Sequence, residues 1–141
     1  MSVGASLNSA STFTLWSENY PTDMSFRFRM AERLFGLGRF DEAIPLFQQA
    51  RNDPKFRGEA GTYLGRAFLE AGYNDEAIET IKSTIDEYKV PGDEKSKEMY
   101  YWYGRALEKK GQNDVALKCF SQVAQWDFNY RDVQSRVKKL R

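Results

Sequence analysis

The chain has 141 residues, of which 41% are hydrophobic and 15% aromatic, and its formal net charge is +1. This composition predicts a packed domain, and the near-neutral charge gives no reason to expect binding to nucleic acid or to a membrane surface. Histidine is absent and Cys119 is the only cysteine. These absences exclude an intramolecular disulfide, a Cys/His zinc site within one chain and histidine-based catalysis.

The first twelve residues are rich in Ser, Ala and Gly, and we expect a flexible leader over 1–12. They lack the basic-then-apolar pattern of a signal peptide, and no apolar run approaches about 18 residues, so we expect a cytoplasmic location. Phe13, Trp16 and Tyr20 then recur at helical spacing up to Pro21. This predicted helix over 13–21 is either the second helix of an incomplete repeat or a dedicated capping helix.

A seven-residue pattern occurs three times further along the chain. Its copies are residues 38–44 (GRFDEAI), 72–78 (GYNDEAI) and 111–117 (GQNDVAL), spaced by 34 and then 39 residues. Glycine takes the left-handed conformation without strain, so each copy predicts a helix end, a tight turn and a new helix. We expect Asp41 to cap the helix that follows the first turn. A turn at 89–93 accounts for the five extra residues of the longer spacing.

The apolar periodicity divides the rest of the chain into helix pairs. We predict repeats at 24–54, 57–90 and 94–127, followed by a capping helix within 129–141. In that last segment Val133, Val137 and Leu140 share one side and the basic residues share the other. A polar outer face of this kind is typical of the helix that ends a stack.

Small and large residues recur at matching positions of the three repeats. The small ones are Ala31, Gly65 and Gly104 in the first helices and Ala43, Ala77 and Ala116 in the second, and the large ones are Phe47, Ile81 and Phe120. With the 34-residue spacing, these positions resemble the tetratricopeptide repeat family. The resemblance implies an all-α, right-handed superhelical solenoid of three helix hairpins, with an N-terminal partial-repeat helix and a C-terminal capping helix over 13–141.

The tail of the third repeat carries a second resemblance. Residues 126–133 (WDFNYRDV) are similar to the ends of many bacterial arrays of this family. This similarity implies a bacterial protein and, together with the partial first repeat, the C-terminal part of a longer chain.

Arrays of this family bind extended peptides or partner helices along a concave groove lined by the first helix of each hairpin. The resemblance places nine residues of this chain in that groove: Phe28, Glu32, Phe35, Thr62, Arg66, Leu69, Tyr101, Arg105 and Glu108. Arg66 and Arg105 each lie in a Gly-Arg-Ala triplet, and two arginines on one wall are suited to holding a carboxylate or phosphate. The alternative is that they pair with Glu70, Glu108 or Glu32 and bind nothing.

The best-known peptide-binding subtype of the family holds a C-terminal carboxylate with a lysine and asparagine set. Phe28 and Glu32 occupy corresponding places here, so we do not expect recognition of that type. Residues 100–103 form an aromatic run in the first helix of repeat three. Four consecutive helical residues cannot all face one side, and we expect Tyr100 and Tyr103 to pack between helices, Tyr101 to face the groove and Trp102 to lie near its border.

The sequence thus predicts a protein-interaction scaffold that binds a peptide or partner domain. Self-association through the open edge at Phe13, Trp16 and Tyr20 is the alternative, with a homo-oligomer as its product. No arrangement of carboxylates resembles a catalytic site, so we expect neither an enzyme nor a cofactor or metal. The basic face of the last helix is expected to be solvated, without a nucleic-acid or membrane partner.

Overall fold

The structure, a computed structural model, describes residues 23–141, and every regular element within them is an α-helix. The predicted leader and the predicted helix at 13–21 lie outside these residues. The helices are α1 (Met24–Gly36), α2 (Phe40–Ala50), α3 (Arg57–Ala71), α4 (Asn74–Glu87), α5 (Glu94–Lys109), α6 (Asn113–Trp126) and α7 (Val133–Leu140). The predicted all-α solenoid is confirmed for the described part of the chain.

The three repeated glycines end α1, α3 and α5 in the same way. Gly38, Gly72 and Gly111 have φ of 77°, 93° and 87°. After each glycine, the next N–H donates to the carbonyl five residues earlier, as from Arg39 to Leu34 at 2.9 Å. This pair of features is the Schellman ending, and it turns the chain directly into the second helix of each hairpin.

The prediction that Asp41 caps the second helix is wrong. Helix α2 begins at Phe40, and its N-cap residue, Arg39, makes no side-chain capping bond. Asp41 instead lies in the first turn, where a negative charge interacts favourably with the helix dipole. Side-chain caps occur on α1 and α5, where Asp23 accepts from the Phe26 N–H and Asp93 accepts from the Ser96 N–H.

Helix pairs pack closely because the matched positions hold small side chains. Ala43, Ala77 and Ala116 are fully buried, and so are the large side chains of Phe47, Ile81 and Phe120. A Cβ added at Gly104 would lie 2.8 Å from the Phe120 ring. The buried side chains form two clusters, one in α1–α3 and one extending from α4 to α7.

The order of the stack determines which surface is left for binding. Each hairpin packs against the next, and α3 also contacts α1 and α5 directly. The first helices therefore lie side by side along one face, which is the concave face in a solenoid of helix pairs. Helix α7 packs on α6 and covers the end of the stack.

Candidate functional site

A cleft of about 230 Å³ opens between α3 and α5 on the face formed by the first helices. Thr62, Tyr63 and Arg66 line it from α3, and Glu98 and Met99 line it from α5. Glu59 and Lys95 also line the cleft and form an exposed ion pair across it, with 3.6 Å between Oε1 and Nζ. The cleft is lined by one aromatic ring, that of Tyr63, and by charges of both signs, a mixture found in sites that bind protein segments.

Three arginines surround one indole ring beside this cleft. The guanidinium carbons of Arg66, Arg105 and Arg131 lie 4.3, 5.1 and 5.4 Å from the ring centroid of Trp102. We call these four residues the Trp102 cluster. Each distance is within the range of a cation–π interaction, which offsets part of the cost of bringing like charges together.

Arg66 is half-buried among aromatic side chains. Its guanidinium carbon lies 4.9 Å from the Phe35 ring and 5.3 Å from the Tyr63 ring, in addition to its contact with Trp102. Burial lowers the pKa of Arg66, the charge of Glu98 opposes this effect and the charge of Arg131 adds to it. Within residues 23–141, no carboxylate lies within 4.0 Å of its guanidinium nitrogens.

Arg105 has a polar partner but, among residues 23–141, no carboxylate partner. Its Nη1 donates to the Tyr101 hydroxyl at 3.2 Å, and none of the ion pairs in the described part of the chain includes it. The alternative in which Arg66 and Arg105 pair with Glu70, Glu108 or Glu32 is therefore not what the structure shows. The two side chains meet at Trp102 instead.

Arg131 differs from the other two arginines because it is paired. Its Nε and Nη2 lie 2.9 and 2.7 Å from Glu98 Oε1, which also accepts a hydrogen bond from the Tyr130 hydroxyl. Burial raises the pKa of Glu98, but the bonds from Tyr130 and Arg131 and the charge of Arg66 outweigh it, and the pKa lies below its usual value. Glu98 is thus ionised at neutral pH and faces both Arg131 and Arg66.

A second polar network covers the end of the face beside the cluster. The Tyr101 hydroxyl donates to Asp132 Oδ1 at 2.6 Å, and Arg136 contacts Asp132 at 3.1 Å and Glu108 at 2.9 Å. Arg131 lies between α6 and α7 with φ of 43°, an uncommon conformation for a residue other than glycine. The turn before α7 thereby brings both Arg131 and Asp132 over α5.

Two of the nine predicted groove residues belong to the interior. Phe28 is 3% exposed because it stacks on Phe56 and contacts the rings of Phe47 and Tyr63. Tyr101 is also 3% exposed, because the segment before α7 folds over it. Their placement on the groove surface is therefore wrong.

The other predicted residues are divided between the cleft, the cluster and the packing. Thr62 lines the cleft but is buried, and its hydroxyl donates to the Gly58 carbonyl at 2.9 Å. Phe35 contacts Arg66, while Leu69 packs against the second buried cluster. Glu32 lies near Tyr63 and 3.7 Å from Arg29. Glu108 pairs with Arg136 and Lys139.

Several residues of the site were not among the predicted ones, and Trp102 was placed only near its border. The cleft residues among them include Glu59, Tyr63, Lys95, Glu98 and Met99, and the cluster adds Arg131. Tyr63 and Glu98 lie in the first helices at positions that helical spacing relates to Arg66 and Trp102. Arg131 lies within the tail stretch 126–133, so the tail resemblance points to its neighbourhood. Neither signal indicates that these side chains meet.

Comparison with known proteins agrees with the hairpin geometry. The model of the family described as "Tetratricopeptide repeat" matches residues 28–93 and, overlapping them, residues 62–129. The chain belongs to the tetratricopeptide repeat (TPR) family. A curated relative is the photosystem I assembly protein Ycf3 of Synechococcus sp. (strain CC9902), which is 33% identical over 90 residues covering 62% of this chain. The chain spans 50% of the length of that relative.

Solved structures with the same fold include the MamA RS-1 ArsTM double mutant, with a TM-score of 0.80, 15% identity and coverage of 97% of this chain and 74% of that one. A second is the first TPR of Spaghetti (RPAP3) bound to the HSP90 peptide SRMEEVD, with a TM-score of 0.73 and 15% identity. That match covers 83% of this chain and 89% of the RPAP3 chain. At these identities the likeness shows the fold alone. In the part of the chain that the structure describes, no helix is long and apolar enough to cross a membrane.

Proposed function

We propose that this TPR chain is a protein-interaction scaffold that binds an extended segment of a partner protein on the face formed by α1, α3 and α5. The observation that carries the proposal is the open cleft between α3 and α5 together with the Trp102 cluster beside it. Aromatic and arginine side chains are the residue types that most often anchor binding surfaces. A bacterial source and a cytoplasmic location belong to the same proposal.

The comparisons support a role of this class. The Synechococcus relative is named an assembly protein, and the RPAP3 repeat is bound to a peptide. Both names describe those proteins. For this chain they support binding of a protein segment, as does membership of a repeat family whose curved surfaces bind extended ligands.

Photo-crosslinking from defined positions tests the proposal. Benzoylphenylalanine is placed at Glu59 or Lys95, both exposed at the cleft, and for comparison at Lys82 on α4, which is exposed on a second helix. We expect a partner to be crosslinked from the cleft positions and not from Lys82. Equal crosslinking from all three positions contradicts the proposal, and a crosslinked dimer of the chain itself indicates self-association instead.

The double variant Arg66→Ala and Arg105→Ala tests the contribution of the cluster. We expect it to reduce crosslinking from Glu59 while the melting temperature changes little, because these side chains make no ion pair with a carboxylate in the described part of the chain. Circular dichroism measured on the same samples is the control for folding. If the variant unfolds, the two arginines are structural and the assignment of the site is wrong.

A further inference from the structure

The Trp102 cluster carries more positive charge than its surroundings balance. Three guanidinium groups lie around one ring, and Glu98 is paired with only one of them, Arg131. Nearby cations outside the cluster have carboxylate partners: Arg136 contacts Glu108 and Asp132, and Lys97 contacts Glu94 and Asp127. About two positive charges are therefore left on Arg66 and Arg105.

Two buried donors of the cluster also have no acceptor within the described residues. These are the Nε of Arg66 and the indole Nε1 of Trp102, and Trp102 is only 8% exposed. A buried donor without an acceptor is costly, and so is a pair of like charges partly removed from water. An anion that accepts hydrogen bonds from Arg66 and Arg105 reduces both costs.

We propose that the partner segment bound by this face is acidic and places two negative charges at Arg66 and Arg105, beside the Trp102 ring. This inference rests on the proposed function and adds the chemical class of the ligand. Guanidinium groups form charge-assisted, often bidentate hydrogen bonds with carboxylates and phosphates. The charge left on the cluster matches two adjacent carboxylates or one phosphoryl group, which carries −1.5 to −2 at pH 7.

Glu98 acts in this scheme as an internal anion that limits the affinity. It lines the same cleft as Arg66, and its charge acts on Arg66 while its oxygen binds Arg131. An acidic ligand is repelled by Glu98 and competes with it for the guanidinium groups. Removing the charge of Glu98 therefore strengthens binding, whereas removing the charges of Arg66 and Arg105 weakens it.

The test uses fluorescein-labelled peptides with amidated C-termini, so that no terminal carboxylate contributes. Fluorescence anisotropy compares a tetra-aspartate peptide with a tetra-asparagine peptide of the same length and with one that carries phosphoserine. We expect the tetra-aspartate peptide to bind, more weakly as salt rises, and the tetra-asparagine peptide not to bind. Tighter binding of the phosphoserine peptide identifies a phosphoryl group as the source of the charge, and weaker binding identifies carboxylates.

Three variants locate the binding. Arg66→Gln with Arg105→Gln should weaken tetra-aspartate binding by about tenfold or more, the loss expected for charge-assisted hydrogen bonds. The matched pair Lys82→Gln with Lys118→Gln removes two exposed charges from second helices and should leave the affinity unchanged. Glu98→Gln should tighten binding several-fold. A change in the ¹⁵N–¹H signal of the Trp102 indole should accompany binding.

The inference is overturned if the tetra-aspartate peptide binds no tighter than the tetra-asparagine peptide. It is also overturned if the double arginine variant and the double lysine variant lose affinity equally, or if Glu98→Gln weakens binding. Circular dichroism of the arginine variant shows whether it is folded. If it is not folded, the effect of Glu98→Gln on peptide affinity decides whether the inference holds. Crosslinking of a partner from Glu59 without peptide binding means that the scaffold role holds and the acidic class is wrong. Failure of the crosslinking instead contradicts the proposed function itself.

Discussion

Gly65 lies at a close approach of α3 and α4. A Cβ built at this position would be 2.1 Å from Cγ1 of Ile81 and 2.6 Å from its Cδ1. Ile81 is fully buried and has little room to move in a close-packed interior. The glycine is therefore required by the packing of the hairpin.

We expect Gly65→Ala to lower the free energy of unfolding by roughly 1–3 kcal/mol, as overpacking in a core does. Gly36→Ala is the control, because Gly36 has nothing within 4 Å of its Cβ position, and it should be neutral or slightly stabilising. Urea unfolding measures both. Ile81→Ala removes both clashing atoms, so Gly65→Ala should cost less in an Ile81→Ala background than in the original chain. An equal cost in both backgrounds would indicate that the clash is not with Ile81.

Cys119 provides a residue-scale prediction about pH. Burial raises the pKa of its thiol to about 12, whereas the thiol of the unfolded chain ionises near the usual value of about 9. Between these values the unfolded state loses a proton that the folded state keeps, so stability falls as pH rises. Urea unfolding at pH 8 and pH 10 should show a loss of roughly 1 kcal/mol for this group. The loss of stability between the two pH values should be smaller in Cys119→Ala than in the original chain. An equal loss in the two proteins would contradict a raised pKa of the Cys119 thiol.

Among the elements, the C-terminal helix α7 both packs on the end of the stack and helps to form the site. Val133 and Val137 on α7 are buried in the second cluster, and Arg136 on the same helix binds Asp132 and Glu108. Helix α7 therefore covers the end of the stack, and with the turn before it also brings Arg131 to Trp102. The covering of the stack and one wall of the site therefore depend on the same segment, residues 131–140.

We predict that Val133→Asp detaches α7, because it places an unpaired charge in an apolar environment. Hydrogen exchange should become faster in α6 and α7 and stay unchanged in α1–α3, since neighbouring elements carry the coupling in a stack of repeats. Ser135→Asp, on the exposed side of the same helix, is the control and should have no effect. Faster exchange in α1–α3 as well would show that the array unfolds as one unit.

At the scale of the whole molecule, the interior is divided between two clusters. Phe47 belongs to the cluster of α1–α3 and Phe120 to the cluster that extends from α4 to α7, and both side chains are fully buried. The clusters are joined through the packing of α3 on α4. The site connects the two clusters, because Arg66 is on α3, whose buried side chains belong mainly to the first cluster, and Trp102 is on α5, in the second cluster.

Phe47→Ala and Phe120→Ala should each cost roughly 3–5 kcal/mol, the range for truncating a large buried aromatic residue. Leu37→Ala is the control because Leu37 is 50% exposed, and it should change stability by less than about 0.5 kcal/mol. Denaturant unfolding gives these values. A loss below about 1 kcal/mol for either phenylalanine contradicts the packing described for its cluster.

The hairpins could be predicted from the sequence because their requirements are local. A left-handed glycine at positions 38, 72 and 111 and small residues such as Gly65 and Ala77 describe turns and close approaches that depend on a few neighbouring residues. The spacing of these residues also related Arg66 to Arg105, and the structure brings both to one ring. The helix starts were less predictable: α2 has Arg39 rather than Asp41 at its N-cap, two residues earlier than expected, and helix ends often shift by this much.

Which of two neighbouring aromatic residues is covered by the C-terminal segment depends on the tertiary fold. Tyr101 and Trp102 are adjacent in α5, and successive helical residues point in directions about 100° apart. The choice between them depends on the turn before α7, which folds back over Tyr101 and brings Arg131 to Trp102. Glu98 finds its partners in the same turn, more than thirty residues later in the chain. These contacts arise from the packing of segments that are distant in sequence, and they cannot be predicted from the periodicity within one helix.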